Sequence, residues 1–370
     1  MEKRYLHDQI IKDLEKKMVF ISGPRQVGKT TMALSLLKTK ASYLNWDIPA
    51  HRESILKREL PDTDFWCFDE IHKFRNWRDF LKGVFDEFHE DHQILVTGSA
   101  RLDTLRKTGD SLQGRYHHLR LHPLTVKELN LTTQDEFIKL LSLGGFPEPY
   151  FMGSEIEAKR WSTNYRSLLV TQECPSIENI SDLSKLELLS LRLPELVGSP
   201  LSLNALREDL QIAHKTVSRW MDIFENIYMV FRLAPLGSHL IRAVKKEQKH
   251  YHYDWTLVQD MPARFENLVA SHLLKWVHYR RDLFGENIEL RYFRDTDKRE
   301  VDFCIVKDLR PQMFVECKWT DGSTSSHLHY LRKKFPEAEY YQVSATGKDR
   351  FVGKHGVTHI PAVEFLGRFI

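Results

Sequence analysis

Four cysteines in 370 residues, Cys67, Cys174, Cys304 and Cys317, are too few and too scattered for a disulfide framework. None forms a Cys-x-x-Cys pair, which excludes zinc ribbons, and such sparse usage fits a reducing cytoplasm. Long apolar runs are missing too. No stretch approaches the roughly 18 residues that a membrane span needs, and Met1-Glu2-Lys3-Arg4 leads into a mixed polar helix rather than an apolar leader. A soluble, cytoplasmic protein without membrane contact is expected. The third absence is charge of one sign: 54 Lys plus Arg stand against 51 Asp plus Glu, a net +3. No global positive field points to nucleic acid, so any basic site has to be local.

Hydrophobic residues make up 42% of the chain and charged residues 28%, ordinary globular values that allow sizeable cores and exclude disorder, collagen and coiled coil as the main architecture. At roughly 150 residues per domain, the length predicts two or three domains.

The first ordered pattern is an apolar strand over residues 17–22, followed at once by Gly23-Pro24-Arg25-Gln26-Val27-Gly28-Lys29-Thr30-Thr31. This reads G-x-x-x-x-G-K-T, a P-loop, and Met32, Leu34, Leu36 and Leu37 carry it into a helix. Gly23 and Gly28 let backbone N–H groups wrap phosphate, Lys29 reaches the β and γ phosphates of ATP, and the Thr30 hydroxyl ligates Mg²⁺. A second apolar strand, residues 65–70, ends in Asp69 and Glu70. Asp69 is the metal-side carboxylate and Glu70 the candidate base or water-positioning group, which favours hydrolysis over mere binding. A third strand, residues 93–99, brings Thr97 and Ser99 as candidates to sense the γ-phosphate or orient water.

Arg115 stands at the entry to the next strand, residues 116–121. Here the chain resembles the AAA-type ATPases. That resemblance implies an arginine finger reaching a neighbouring subunit's nucleotide, with Arg115 as the candidate and Arg101 as the alternative; a finger acting in trans would make the protein a homo-oligomer. The other reading of Arg115 is a surface ion pair. Residues 123–180, punctuated by Gly144-Gly145-Phe146-Pro147-Glu148-Pro149-Tyr150, are expected to form a helical lid, with Arg160 and Arg166 as guesses for a lid arginine.

Leu203, Leu206 and Leu210 make one apolar helix face, and Val217, Trp220, Phe224 and Ile227 another. Two closely joined short helices followed by an alternating run over 228–233 read as a winged helix-turn-helix. Its second helix would present Lys215, Thr216, Ser218 and Arg219 to DNA. Arg242, Lys245, Lys246 and Lys249, set against the single acid Glu247, would form a phosphate-contacting wing. The alternative is a protein docking module with a solvated charge run.

In the C-terminal third, Glu266 shares a helix face with Val269, Ala270 and Leu273, where a carboxylate costs several kcal/mol unless paired or metal-bound. Strands are expected at 289–293, 299–306 and 313–319, then a helix at 327–335 and a strand at 340–343. Period two puts Glu316 and Lys318 on one strand face and Cys317 on the other. Carboxylates with a nearby lysine can hold Mn²⁺ or Mg²⁺ and activate water against a phosphodiester. The arrangement resembles the restriction-endonuclease-like core, which has an Asp on one strand, Glu-x-Lys on the next and a helical Glu before them. The resemblance implies Asp302 and Glu316 as metal ligands, Lys318 as the water-orienting catalytic lysine and Glu266 as a further acid. The alternative is a retained fold that does not cut.

The whole order resembles a widespread prokaryotic family of ATP-binding proteins whose C-terminal domain has no assigned role. Phe265-Glu266-Asn267-Leu268-Val269, Arg299-Glu300-Val301-Asp302-Phe303 and Glu316-x-Lys318 carry the likeness; Cys317 departs from it, standing where an aliphatic residue is usual. The expected architecture is α/β: a P-loop ATPase core over 1–122, a lid over 123–180, a winged helix-turn-helix over 181–240 and an endonuclease-like domain over 241–370. The expected function is ATP hydrolysis coupled to work on DNA, or nucleotide-controlled binding of DNA or a protein partner through a silent nuclease-like domain.

Overall fold

The computed structural model describes residues 3–98, 112–178, 180–237, 247–353 and 356–370. The chain divides into two compact units, Met1–Pro123 with Asn226–Tyr228, and Leu124–Glu225 with Met229–Ile370.

The first unit is built on five parallel strands, β1 (Met18–Ser22), β2 (Tyr43–Asn45), β3 (Phe65–Asp69), β4 (Gln93–Thr97) and β5 (Tyr116–Arg120), in the order β2-β3-β4-β1-β5. Between them run α1 (His7–Leu14, before β1), α2 (Lys29–Leu36), α3 (Pro49–Lys57) and α4 (Trp77–Phe88). β1 and β3 are buried at every residue, as expected of parallel strands covered on both faces. On α4, Trp77, Leu81 and Val84 fall at helical spacing and pack into one cluster with Phe20, Phe68 and Ile94. Because the strands are parallel and β4 lies between β1 and β3, the loop after β1, Asp69 and Thr97 all emerge at the same sheet edge.

The second unit begins with α5 (Gln134–Leu143), α6 (Pro147–Met152), α7 (Glu155–Leu168), α8 (Cys174–Ile177) and α9 (Leu183–Arg192). Thr133 and Glu136 form a reciprocal capping box at the start of α5, and Gly144 at φ 85° ends it. Pro147 then opens α6, so the expected interruption between helices is short. There follow β6 (Pro200–Leu201), α10 (Leu203–Leu210), α11 (His214–Asn226), β7 (Val230–Leu233) and β8 (Gln248–His252); the strands pair antiparallel in the order β6-β8-β7.

A 24-residue helix, Met261–Phe284, is capped by the Asp260 carboxylate and closed by Gly285 at φ 65°. After it come β9 (Ile288–Arg294), β10 (Glu300–Lys307), β11 (Arg310–Lys318), the helix Ser326–Lys334, β12 (Glu339–Ser344), β13 (Phe351–Val352), β14 (Thr358–Pro361) and the helix Ala362–Leu366. Their sheet runs β13-β14-β12-β11-β10-β9. β9, β10 and β11 are an antiparallel meander, and β12 returns parallel to β11 after the helix Ser326–Lys334.

Apart from Pro123 and Asn226–Tyr228, the segments expected as lid, winged helix-turn-helix and C-terminal domain fall in the second unit. Polar contacts lace them together. Lys275 in the long helix donates to Glu128 and, at 3.1 Å, to Thr125 Oγ1; the Val126 amide donates to His272 Nε2 at 3.1 Å. Ser162 of α7 bonds Asp254, and Gln134 bonds the carbonyl of Ala345. Among the described residues, no helix is long and apolar enough to cross a membrane.

Lys275 is fully buried and the Glu128 side chain is 6% exposed, so losing either charge takes a close counter-charge from a buried group. Lys275→Met should cost about 3–5 kcal/mol, read as a lower urea midpoint at unchanged slope. Lys275→Met with Glu128→Leu should cost less than either single change; an additive double variant would show that the two charges do not depend on each other.

Candidate functional site

At the end of β1 the backbone turns through Gly23 at φ 142°, where a Cβ would come within 2.2 Å of the Leu121 carbonyl oxygen. Only glycine fits there. Gly28, left-handed at φ 98°, caps α2, and Lys29 is its first residue. Arg25 and Gln26 at the loop tip are exposed, Pro24 and Val27 are buried, and Thr30 and Thr31 are exposed on the first turn of α2. The Lys29 ammonium donates to the carbonyls of Gly23 at 2.9 Å and Pro24 at 2.7 Å, so the loop curls around its own lysine. Arg4 braces it from behind, donating to Val27 O at 2.8 Å and His122 O at 2.6 Å.

Asp69, 4% exposed, accepts hydrogen bonds from three hydroxyls. Thr30 Oγ1 at 2.9 Å and Tyr43 OH at 2.6 Å reach Oδ2, and Thr97 Oγ1 at 2.6 Å reaches Oδ1. Thr30 and Asp69 thus converge as hard oxygen donors, the set Mg²⁺ takes, and the backbone and ammonium of Lys29 suit a nucleotide's phosphates. Glu70 is left-handed at φ 56°, with its carboxylate 3.2 Å from Lys73 Nζ and 3.6 Å from His72 Nε2. Burial pushes the Glu70 carboxyl above its ordinary range, opposed by Lys73.

Ser99 and Arg101 lie outside the described residues. Arg115 is engaged by Asp86 of α4 through two bonds, at 2.6 and 3.0 Å, a fork pairing within the chain. Arg160 pairs with Glu157 on the exposed side of α7.

A second cluster forms wholly within the second unit. The Lys249 ammonium on β8, with its side chain 1% exposed, lies 2.7 Å from Glu300 Oε1, 3.3 Å from Glu266 Oε1 and 3.5 Å from Asp302 Oδ1. Tyr251, two residues on and on the same strand face, donates to Glu266 Oε1 at 2.7 Å. Asp302 sits where β10 slips register against β9, and its Oδ2 accepts from the Cys317 amide at 2.8 Å. Lys318 Nζ pairs with Glu316 Oε1 at 2.8 Å, as period two requires. Glu316 Oε2 is buried with no hydrogen-bond partner. Burial, then Asp302, push the carboxyls of Glu266 and Glu316 up.

One expectation is corrected here. Lys249 is not part of an exposed basic wing. β8 is the central strand of its sheet, so its inward residues are covered. Lys245 and Lys246, with Arg242, lie outside the described residues. Among the described residues no three or more His, Cys, Asp or Glu side chains are arranged to hold an ion, and of the expected ligands Glu266 and Asp302 face the Lys249 ammonium while Glu316 pairs with Lys318. The point on which Glu266, Glu300 and Asp302 converge is taken by the Lys249 ammonium.

On α11, Lys215 is exposed, Ser218 is half-buried and Arg219 reaches Glu178. Sequence reasoning missed the roles of Arg4, Tyr43, Tyr251 and Glu300 and misplaced Lys249. A signal for two of them existed: the alternation Lys249-His250-Tyr251-His252-Tyr253 is a strand pattern that puts Lys249 and Tyr251 on one face.

Residues 15–130 match the family model of an AAA domain, residues 134–267 a "Domain of unknown function (DUF8612)", and residues 263–365 a "Domain of unknown function (DUF4143)". An uncharacterized protein of Mycobacterium tuberculosis is 22% identical over 94% of this chain and 81% of its own length. One from Haemophilus influenzae is 22% identical over 89% and 88%. Among solved structures, a RuvB variant from Thermotoga maritima is 18% identical, covering 61% of this chain and 88% of its own, at a TM-score of 0.29, too low to carry an argument. The P-loop unit is AAA-type.

Because Glu266 and Glu316 are raised, the folded protein keeps protons that the unfolded carboxyls release near about 4.3. Stability should therefore fall as pH rises above about 5. In Glu266→Gln the thermal midpoint should fall less over the same range; a slope equal to that of wild type would mean that Glu266 is not raised.

Proposed function

We propose that the protein is an ATP-hydrolysing AAA-type protein that acts on DNA. The observation that carries the reading is the group at the sheet edge: the closed P-loop, the Thr30–Asp69 contact and Glu70 beside them. In this reading Gly23 through Thr31 wrap the triphosphate, Lys29 leaves its carbonyl partners for the β and γ phosphates, and Thr30 and Asp69 hold Mg²⁺. Glu70 positions the attacking water. Its left-handed backbone aims it away from the strand, and Lys73 partly offsets its desolvation. Arg115 would have to exchange Asp86 for a phosphate to serve a neighbouring subunit.

DNA contact is assigned to the α9–β6–α10–α11–β7–β8 segment. Its element order and its β6-β8-β7 pairing are those expected of a winged helix-turn-helix. Lys215 and Ser218 near the start of α11 would meet the duplex, joined by Arg219 if phosphate displaces Glu178. The long helix, the β9-β10-β11 meander, the crossing helix and parallel β12 support an endonuclease-like reading of the C-terminal part. There a second reading, a domain that does not cut, is favoured by the Lys249 ammonium among the acids.

ATP turnover by the full chain should fall by about 10²–10⁴-fold in Glu70→Gln, and Lys29→Ala should be inactive. Wild-type turnover no faster than either variant removes the ATPase reading. Since the deprotonated Glu70 is the active form and its carboxyl is raised, turnover should decline with falling pH sooner than for an ordinary glutamate. Lys215→Glu should weaken binding to duplex DNA in low salt; unchanged binding in that variant argues against α11 as the contact.

A further inference from the structure

Lys249 is the buried cation that the sequence placed on a surface, and it sits where four elements meet. It belongs to β8, the carboxylate of Glu266 comes from the helix Met261–Phe284, and those of Glu300 and Asp302 come from β10. Glu316 on β11 adds a fourth carboxylate, whose Oε2 is buried without a hydrogen-bond partner although the side chain is only 9% exposed. An ammonium offers three N–H donors and needs about 2.7–3.3 Å to each oxygen. A Mg²⁺ or Mn²⁺ ion needs about six oxygens at close to 2.1 Å. A metal bound at that distance to Glu300 Oε1, itself 2.7 Å from Lys249 Nζ, would lie within about 4.8 Å of the ammonium, so the two cations repel each other across the same carboxylates. The donor set suits a divalent ion; the occupied centre does not.

We propose that Lys249 is the resident cation of this cluster: its ammonium holds the carboxylates together and keeps divalent metal out, so that the second unit gains a metal site only when that ammonium is withdrawn or replaced. This rests on the endonuclease-like reading of the unit and not on the ATPase reading. A lysine on the central strand of one sheet, neutralising acids of another, makes metal access depend on the placing of β8.

The test is Mn²⁺ binding by the full-length chain without nucleotide or DNA, followed by the electron paramagnetic resonance signal of free Mn²⁺ and by thermal shift. Failure of turnover or DNA contact therefore does not affect it. Wild type and Asp302→Asn should bind Mn²⁺ alike. Lys249→Met should gain one site with at least tenfold tighter binding and a thermal midpoint that rises with Mn²⁺, and both gains should vanish when Asp302→Asn is added. Lys249→Gln should show the same gain and serves if the Met variant does not fold. A wild-type Mn²⁺ site that Asp302→Asn removes overturns the proposal, as does a folded Lys249 variant that binds no more Mn²⁺ than wild type. The wild-type and Asp302→Asn comparison decides the matter even if neither Lys249 variant folds.

Discussion

The acidic cluster of the second unit depends on one buried ammonium, Lys249. Four carboxylates, Glu266, Glu300, Asp302 and Glu316, come from three elements that pack against β8, and each charge taken from water costs several kcal/mol unless it is met. Lys249 and Lys318 meet only part of that charge, and the raised carboxyls of Glu266 and Glu316 are the remainder expressed as retained protons. Tyr251 and the Cys317 amide add neutral donors to Glu266 and Asp302. Remove the ammonium, and Glu266 and Asp302 lose their close cationic partner, while Lys318 and Arg294 remain beside Glu316 and Glu300.

The first unit handles a buried carboxylate in another way. Asp69 is held by the hydroxyls of Thr30, Tyr43 and Thr97. Neutral donors can turn aside and let a metal ion take their place at little electrostatic cost, whereas an ammonium carries its charge with it. The same residue type, an aspartate at or near a strand end, is therefore held by neutral hydroxyls at one site and faces an ammonium at the other. The same contrast separates Lys29, which donates to backbone carbonyls, from Lys249, which lies among carboxylates.

Much of this was legible in the chain. Residues 17–31 announce a strand, a glycine loop and a helix because that loop's geometry tolerates few residue types, and Gly23 against the Leu121 carbonyl is the steric reason. Period two paired Glu316 with Lys318, and the helix face of Glu266 called for a partner, which the structure supplies as Lys249 and Tyr251. What misled was reading Lys249 with Lys245 and Lys246 as one basic run. Neighbouring charges in a sequence share a surface only if the backbone keeps them on one side of it, and β8 turns Lys249 inward as the middle strand of its sheet. The expected lid was drawn from composition; the buried pair of Lys275 with Glu128 ties the start of that segment to the long helix.

The sequence by itself determined the local chemistry: the loop that can wrap phosphate, the paired acids after β3, the acids and lysine on adjacent strands. These depend on residue type and on spacing within one element, which the chain states directly. Only the tertiary structure decided which charges meet. Tyr43 and Thr97 reach Asp69 because β2, β3 and β4 are neighbours, Arg115 finds Asp86 on α4, and Lys249 enters the acidic cluster from a strand of another sheet. Such contacts depend on strand order and layer packing between residues far apart in the chain, and no periodicity within a segment encodes them.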